Sequence, residues 1–146
     1  MYETVLFPTD GSETATEAAT HAIDLASRHD AAFHVLYVVD HHRVSRMAPK
    51  LGTDHIKRTL EQEGERITSE VADTAREAGL ETTATIREGA PGETITDYAE
   101  EAGADAIVMG TNGRSGIDRL LLGSVAERVI QLSERPVMTV KAPAEE

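Results

Sequence analysis

Four glycines fall within residues 110–124, GTNGRSGIDRLLLGS: Gly110, Gly113, Gly116 and Gly123. A glycine amide has no Cβ beside it, so it can approach a ligand closely, adopt positive φ and join neighbouring N–H groups into a concave anion nest. Gly123 and Ser124 open a helix, whose unpaired N–H groups and positive dipole end favour phosphate. The Ser124 hydroxyl can donate to a phosphate oxygen as well. The same residues carry a ligand-free reading. Ser124-Val125-Ala126-Glu127 is a capping box, in which serine and glutamate satisfy the first amides of the helix by themselves. On these residues alone the cap takes precedence over the ligand.

A carboxylate stands in a second turn, Pro8-Thr9-Asp10-Gly11-Ser12. Asp10 can accept hydrogen bonds from a ribose or a base, or cap the following helix with Glu13 answering three residues later. Other chemistries are excluded by pattern. G-x-x-x-x-G-K-[ST] occurs nowhere and no lysine lies near Ser124, so the loop is not a Walker P-loop. G-x-G-x-x-G does not follow the first strand, and no G-x-S-x-G elbow is present. The chain has no cysteine, which removes disulfides, zinc-thiolate sites, iron-sulfur clusters and thiol nucleophiles. Its histidines, His21, His29, His34, His41, His42 and His55, show no ligand spacing beyond the adjacent His41-His42. On an extended loop those two point apart, so they read as solvated.

These groups must be held by an alternation of strands and helices. An apolar, β-favouring run from Tyr2 to Phe7 stops at Pro8-Thr9-Asp10-Gly11. Ala15, Ala18, Ala22 and Ala26 then recur at helical spacing between Ser12 and His29. Ala32 to Val39 is almost uninterruptedly apolar, as expected of a strand covered on both faces. Residues 40–52, with Pro49 and Gly52, read as a loop that Arg43 and Arg46 make locally basic. A long helix over Thr53 to Ala78 follows, with a stripe through Ile56, Leu60, Ile67, Val71 and Ala75. Thr82 to Arg87 is a third strand, Glu93 to Ala102 a helix, Ala106 to Met109 a short buried strand, Ser124 to Leu132 a helix and Val137 to Val140 the last strand.

Strands alternating with helices predict a parallel sheet, because a crossover between parallel strands needs a helix's length and is right-handed. The expected fold is an open, doubly wound α/β architecture of five parallel strands with helices on both faces, in three layers. Ligands of such sheets bind beyond the C-terminal ends of the strands. That places Pro8 to Ser12, Val38 to Asp40, Gly89 to Gly92 and Gly110 to Ser124 around one crevice. A chain of 146 residues is expected to form a single domain, residues 1–141, with a frayed acidic tail at 142–146.

The formal charge of −12 repels a duplex phosphate backbone, so no nucleic-acid partner is expected. Only Lys50, Lys57 and Lys141 are lysines; an acidic, lysine-poor surface fits a protein that stays hydrated in concentrated salt. No signal peptide or membrane-length apolar run is evident, and a cytoplasmic location is expected. Leu120-Leu121-Leu122 is expected to pack on the domain or on a second subunit. The apolar last strand, at a sheet edge, is liable to pair with another chain.

The spacing Gly110-x2-Gly113-x9-Gly123-Ser124, with strands ending in Pro8-Thr9-Asp10-Gly11-Ser12 and Val38-Val39-Asp40, resembles the universal stress protein family over Tyr2 to Val140. The resemblance implies strand order 3-2-1-4-5, a homodimer paired through Val137 to Val140, and the branch of the family that binds ATP, with AMP and ADP as related ligands. A halophilic archaeon is the expected source. It further implies that Pro8, Thr9 and Asp10 border the ribose and adenine, that Val38 offers backbone hydrogen bonds to adenine, and that Met109 and Gly110 line the pocket floor. Gly113, Gly123, Ser124 and Val125 would hold the phosphates. A divalent ion, Mg2+, can accompany the triphosphate, with Asp118 as the only carboxylate of the glycine loop.

Three functions stay open on the sequence. The first is a nucleotide-binding regulator in the stress response. The second is a slow ATPase, for which Asp10 and Arg114 are the nameable candidates to position water and to stabilise charge. The third is a ligand-free, partner-binding dimer in which Ser124 serves as a cap.

Overall fold

The computed structural model describes residues 1–111 and 122–141. Along the chain run β1 (Thr4–Pro8), α1 (Glu13–His29), β2 (Ala32–Asp40), α2 (His41–Leu51), α3 (Thr53–Glu77), β3 (Thr82–Gly89), α4 (Pro91–Ala102), β4 (Ala106–Gly110), α5 (Ser124–Leu132) and β5 (Val137–Val140). The strands form one parallel sheet in the order β3-β2-β1-β4-β5. The expected open, doubly wound α/β sheet and its strand order are thus observed.

Alternation along the buried strands separates two cores. Val5, Phe7, Phe33, Val35 and Val108 point to the side covered by α1 and α3, where Phe7 and Phe33 stack with ring centroids 6.2 Å apart. Ala15, Ala18, Ala22 and Ala26 form the buried ridge of α1, and side chains this small let the helix lie close against β4. Leu6, Leu36, Ile107 and Met109 point to the opposite side, against Ile95 and Tyr98 of α4 and Ala126 and Val129 of α5. On that side the Tyr98 hydroxyl ties β2 and β3 together, 2.8 Å from His34 Nδ1 and 3.0 Å from Thr85 Oγ1.

Residues 41–51, expected as part of a loop, are helical. Asp40 caps this helix by accepting the His42 N–H at 2.9 Å. Val44 is buried and Met47 partly so, against Ile56 and Leu60 of α3. The apolar positions Val44, Met47 and Leu51 do carry a helical period, but Pro49 obscured it. That proline lies in the last turn, where its missing N–H removes only one bond before Gly52 donates to the Ala48 carbonyl at 2.7 Å and ends the helix. His41 and His42 do not point apart as expected of an extended loop: on the first turn of α2 their ring centroids are 4.2 Å apart. Among the described residues no group of three or more His, Asp or Glu side chains is arranged to hold a metal ion. No described helix is long and apolar enough to cross a membrane. The expected acidic tail, 142–146, lies outside the described residues.

Candidate functional site

The sheet order reverses between β1 and β4: the chain runs outward through β2 and β3 on one side and to β5 on the other. Connections diverge at such a reversal and leave a crevice beyond the C-terminal ends of the central strands. Pairing between β1 and β2 ends at Pro8 opposite Leu36, with one further bond from the Thr9 N–H to the Leu36 carbonyl at 2.9 Å. β2 continues to Asp40. Ala32 donates to the Glu3 carbonyl, so Ala32 and every second residue after it turn their backbone groups toward β1. By that period the N–H and C=O of Val38 face the space past the end of β1. No described residue pairs with them there. One residue therefore presents a donor and an acceptor side by side at the crevice.

The side chains beneath agree with this placement. Val38, Met109 and Val125 join the same apolar cluster as Leu36, Ile107 and Ala126, although they come from β2, β4 and α5. Pro8, in register with Leu36, is oriented to the same side of the sheet.

The turn after β1 is built from its own side chains. Thr9 Oγ1 accepts the Gly11 N–H at 3.1 Å, and Asp10 Oδ1 accepts the Ser12 N–H at 2.9 Å. Ser12 then caps α1, accepting the Ala15 N–H at 3.3 Å. Capping of α1 by Asp10, one of its two expected roles, is thereby corrected: the aspartate shapes the turn that delivers Ser12. Its second oxygen is not engaged by a described residue. Gly11 has φ 79°, and a Cβ there would lie 2.6 Å from Ile67 Cδ1 of α3. Only glycine suits this turn.

At the end of β4 the chain passes over the start of α1. A Cβ on Gly110 would meet Thr14 Oγ1 at 2.8 Å, Thr14 C at 2.9 Å and Ala15 N at 3.0 Å. Gly110 is thus the point where β4 and α1 touch through backbone. Thr111 follows, donating its N–H to the Val140 carbonyl at 2.9 Å and accepting the Gly123 N–H on its own carbonyl. The two ends of the glycine loop are therefore clamped together. The Thr111 hydroxyl is buried, with the residue only 5% exposed, and it has no hydrogen-bond partner among the described residues. A hydroxyl in that condition costs about 1–3 kcal/mol until something polar meets it.

Gly123 is the N-cap residue of α5, and Ser124 is the first helical residue. The expected capping box, with Ser124 as cap and Glu127 as its partner, is not formed. A serine must stand one position before the helix, with extended backbone, for its oxygen to turn back onto the amides. Gly123 occupies that position, with φ −66° and ψ 156° and no side chain. The first intrahelical bond runs from the Glu127 N–H to the Gly123 carbonyl at 2.9 Å, so the amides of Ser124, Val125 and Ala126 lack helical acceptors. A phosphate oxygen can occupy that position. Replacement of Ser12 and of Ser124 by alanine separates the two roles: in urea unfolding, Ser12→Ala should lose about 1 kcal/mol and Ser124→Ala less than about 0.5 kcal/mol.

Pro8, Thr9, Asp10, Val38, Met109, Gly110, Gly123, Ser124 and Val125 all lie on the C-terminal ends of β1, β2 and β4 or the first turn of α5. Gly113, with Arg114, Asp118, Leu120 and Leu121, lies outside the described residues. Thr111 and Thr14 were not singled out in the sequence. Only the position of Thr111 directly after a buried strand could have pointed to it.

The sequence profile of the Universal stress protein family matches residues 1–141. Universal stress protein MJ0531 of Methanocaldococcus jannaschii is 40% identical over 146 residues, covering 100% of this chain and 86% of the relative. The solved structure of hypothetical protein MJ0577, from the same organism, superposes with a TM-score of 0.89 at 31% identity, covering 99% of each chain. A universal stress protein solved in complex with cAMP superposes with a TM-score of 0.70 at 28% identity, covering 97% of this chain and 98% of that one.

Proposed function

The chain belongs to the universal stress protein family, and we propose that it binds an adenine nucleotide at the reversal of its sheet and acts as a dimeric regulator in the stress response. The observation that carries this reading is the pairing of two unmet sets of backbone groups: the donor and acceptor of Val38 at one end of the crevice, and the uncapped amides of Ser124, Val125 and Ala126 at the other. Adenine presents an acceptor ring nitrogen beside a donor amino group, complementary to the two groups of Val38. A phosphate tail matches the uncapped helix start. The orphaned Thr111 hydroxyl supports the fit, since a bound polar group relieves it. The relative in complex with cAMP supports the adenine assignment.

In this reading Pro8, Thr9 and Asp10 border the ribose and adenine, Met109 and Gly110 form the floor, and Gly113, Gly123, Ser124 and Val125 hold the phosphates. ATP fills the whole crevice, with Mg2+ accompanying the triphosphate; AMP and ADP fill part of it. Binding rather than turnover is the proposed activity. A second copy pairs along β5, whose outer edge has no strand beside it among the described residues and whose Met138 is 45% exposed. The proposed halophilic archaeal source rests on the charge of −12 and the three lysines of the chain, and cytoplasmic residence on its family membership.

Urea unfolding with and without ATP and magnesium tests the binding. ATP at about a hundred times its dissociation constant should add about 2.7 kcal/mol to the free energy of unfolding, and inorganic phosphate at the same concentration far less. An unfolding curve unmoved by ATP up to its solubility contradicts the proposal.

A further inference from the structure

The cations of this acidic chain are distributed unevenly between two conditions. Arg28, Lys57, Arg66, Arg76, Arg87 and Arg128 each have a carboxylate within 4.0 Å. Arg43, Arg46 and Lys50, all on α2, have no acidic partner among the described residues. α2 itself contains no Asp or Glu. The spacing of 43, 46 and 50 is i, i+3, i+7, which places the three cations on one stripe about 10 Å long. Arg46 and Lys50 are exposed and Arg43 is half-buried. Arg58 and Lys141 also lack acidic partners among the described residues, but each stands singly on its own segment, and Arg135 donates instead to the Ala104 carbonyl.

We infer that this stripe docks a short acidic segment of a partner protein, with carboxylates spaced to meet Arg43, Arg46 and Lys50. The inference is independent of the nucleotide reading. Charge complementarity selects the class of occupant, and three further observations narrow it. The net charge of −12 repels an extended polyanion such as duplex DNA, whose charge continues well beyond the stripe. An anionic bilayer would need the apolar side of α2 for insertion, yet Val44 and Met47 are already packed against α3. A second copy of this chain would have to set one of its acidic faces against this stripe in a head-to-tail contact, separate from the pairing along β5, that has no reason to close. Leu51, 53% exposed, follows Lys50 at the end of the helix on the adjoining apolar stripe and supplies one apolar contact near the cations. A partner segment with acidic residues at i, i+3 or i+4, and i+7, and a leucine-like side chain at its end, fits all of these features.

Fluorescence anisotropy at low salt tests the inference with a labelled synthetic helical peptide carrying Glu at i, i+4 and i+7 and a terminal Leu. The charge-neutralised variant R43Q/R46Q/K50Q should bind it about tenfold more weakly than the natural chain, as expected for the loss of three exposed ion pairs. The reversed variant R43E/R46E/K50E should bind it more weakly still. R28Q/R66Q/R76Q, which removes cations already engaged with carboxylates, should leave the affinity unchanged. Unaltered urea midpoints in the variants establish that the fold is intact; should the reversed variant unfold, the neutralised one decides. Equal binding of the peptide by the neutralised variant overturns the inference, as does equal binding of a peptide with Gln in place of Glu. Tighter binding of a DNA duplex or of phosphatidylserine vesicles than of the acidic peptide also overturns it.

Discussion

Gly110→Val should lower the free energy of unfolding by about 3 kcal/mol, and Gly110→Ala by about half as much, in urea titrations followed by circular dichroism. The atoms in the way are a carbonyl carbon and an amide nitrogen of the first turn of α1, 2.9 and 3.0 Å from the position of a Cβ, besides the Thr14 hydroxyl at 2.8 Å. Backbone cannot rotate aside as the end of a side chain can, so relief requires α1 to lift from β4 or β4 to slip against its neighbours. Either movement reaches the next residue, Thr111, whose carbonyl holds the Gly123 amide at the start of α5. The destabilised variant should therefore also bind ATP less tightly. A Gly110→Val protein as stable as the original would mean that β4 and α1 do not approach as described.

Ser124→Asp should move stability and binding in opposite directions. A carboxylate in the first turn of α5 interacts favourably with the positive end of the helix and should add about 0.5 kcal/mol to the stability of the ligand-free protein. The same charge stands where the phosphates are proposed to lie. It should weaken ATP about a hundredfold by calorimetric titration, since like charges set against each other cost several kcal/mol when partly shielded from water. A structural cap at Ser124 would predict otherwise, because aspartate caps a helix as well as serine does. Retained ATP affinity in this variant contradicts the phosphate placement.

What was legible in the sequence was legible for a physical reason. β2 and β4 are buried on both faces, so their apolar runs stand out, and the helices bounded by them follow from the 3.6-residue spacing of Ala15, Ala18 and Ala22 or of Ile56 and Leu60. The start of α5 is legible because Gly123 marks it. α2 is hidden in the sequence because Pro49 and Gly52 are strong breakers, whereas its support comes from elsewhere: the Asp40 cap and the packing of Val44 on α3. The sequence pattern puts the cap of α5 at Ser124, one position late. A capping box and a glycine cap followed by serine share the same residues, and only the backbone angles of Gly123 distinguish them. The open backbone of Val38 had no sequence signature of its own, since it depends on where β1 stops pairing with β2. The resemblance to a family pointed to that residue, and the strand register supplies a physical reason for it.

Amide chemical-shift mapping of the nitrogen-15-labelled protein during titration with ATP and magnesium tests the central claim most directly. Saturable shifts should centre on Thr9, Val38, Gly110, Thr111, Val125 and Ala126, with the edge strand β3 unaffected. An absence of saturable shifts, or shifts confined to Arg43, Arg46 and Lys50 of α2, would contradict a nucleotide site at the reversal of the sheet.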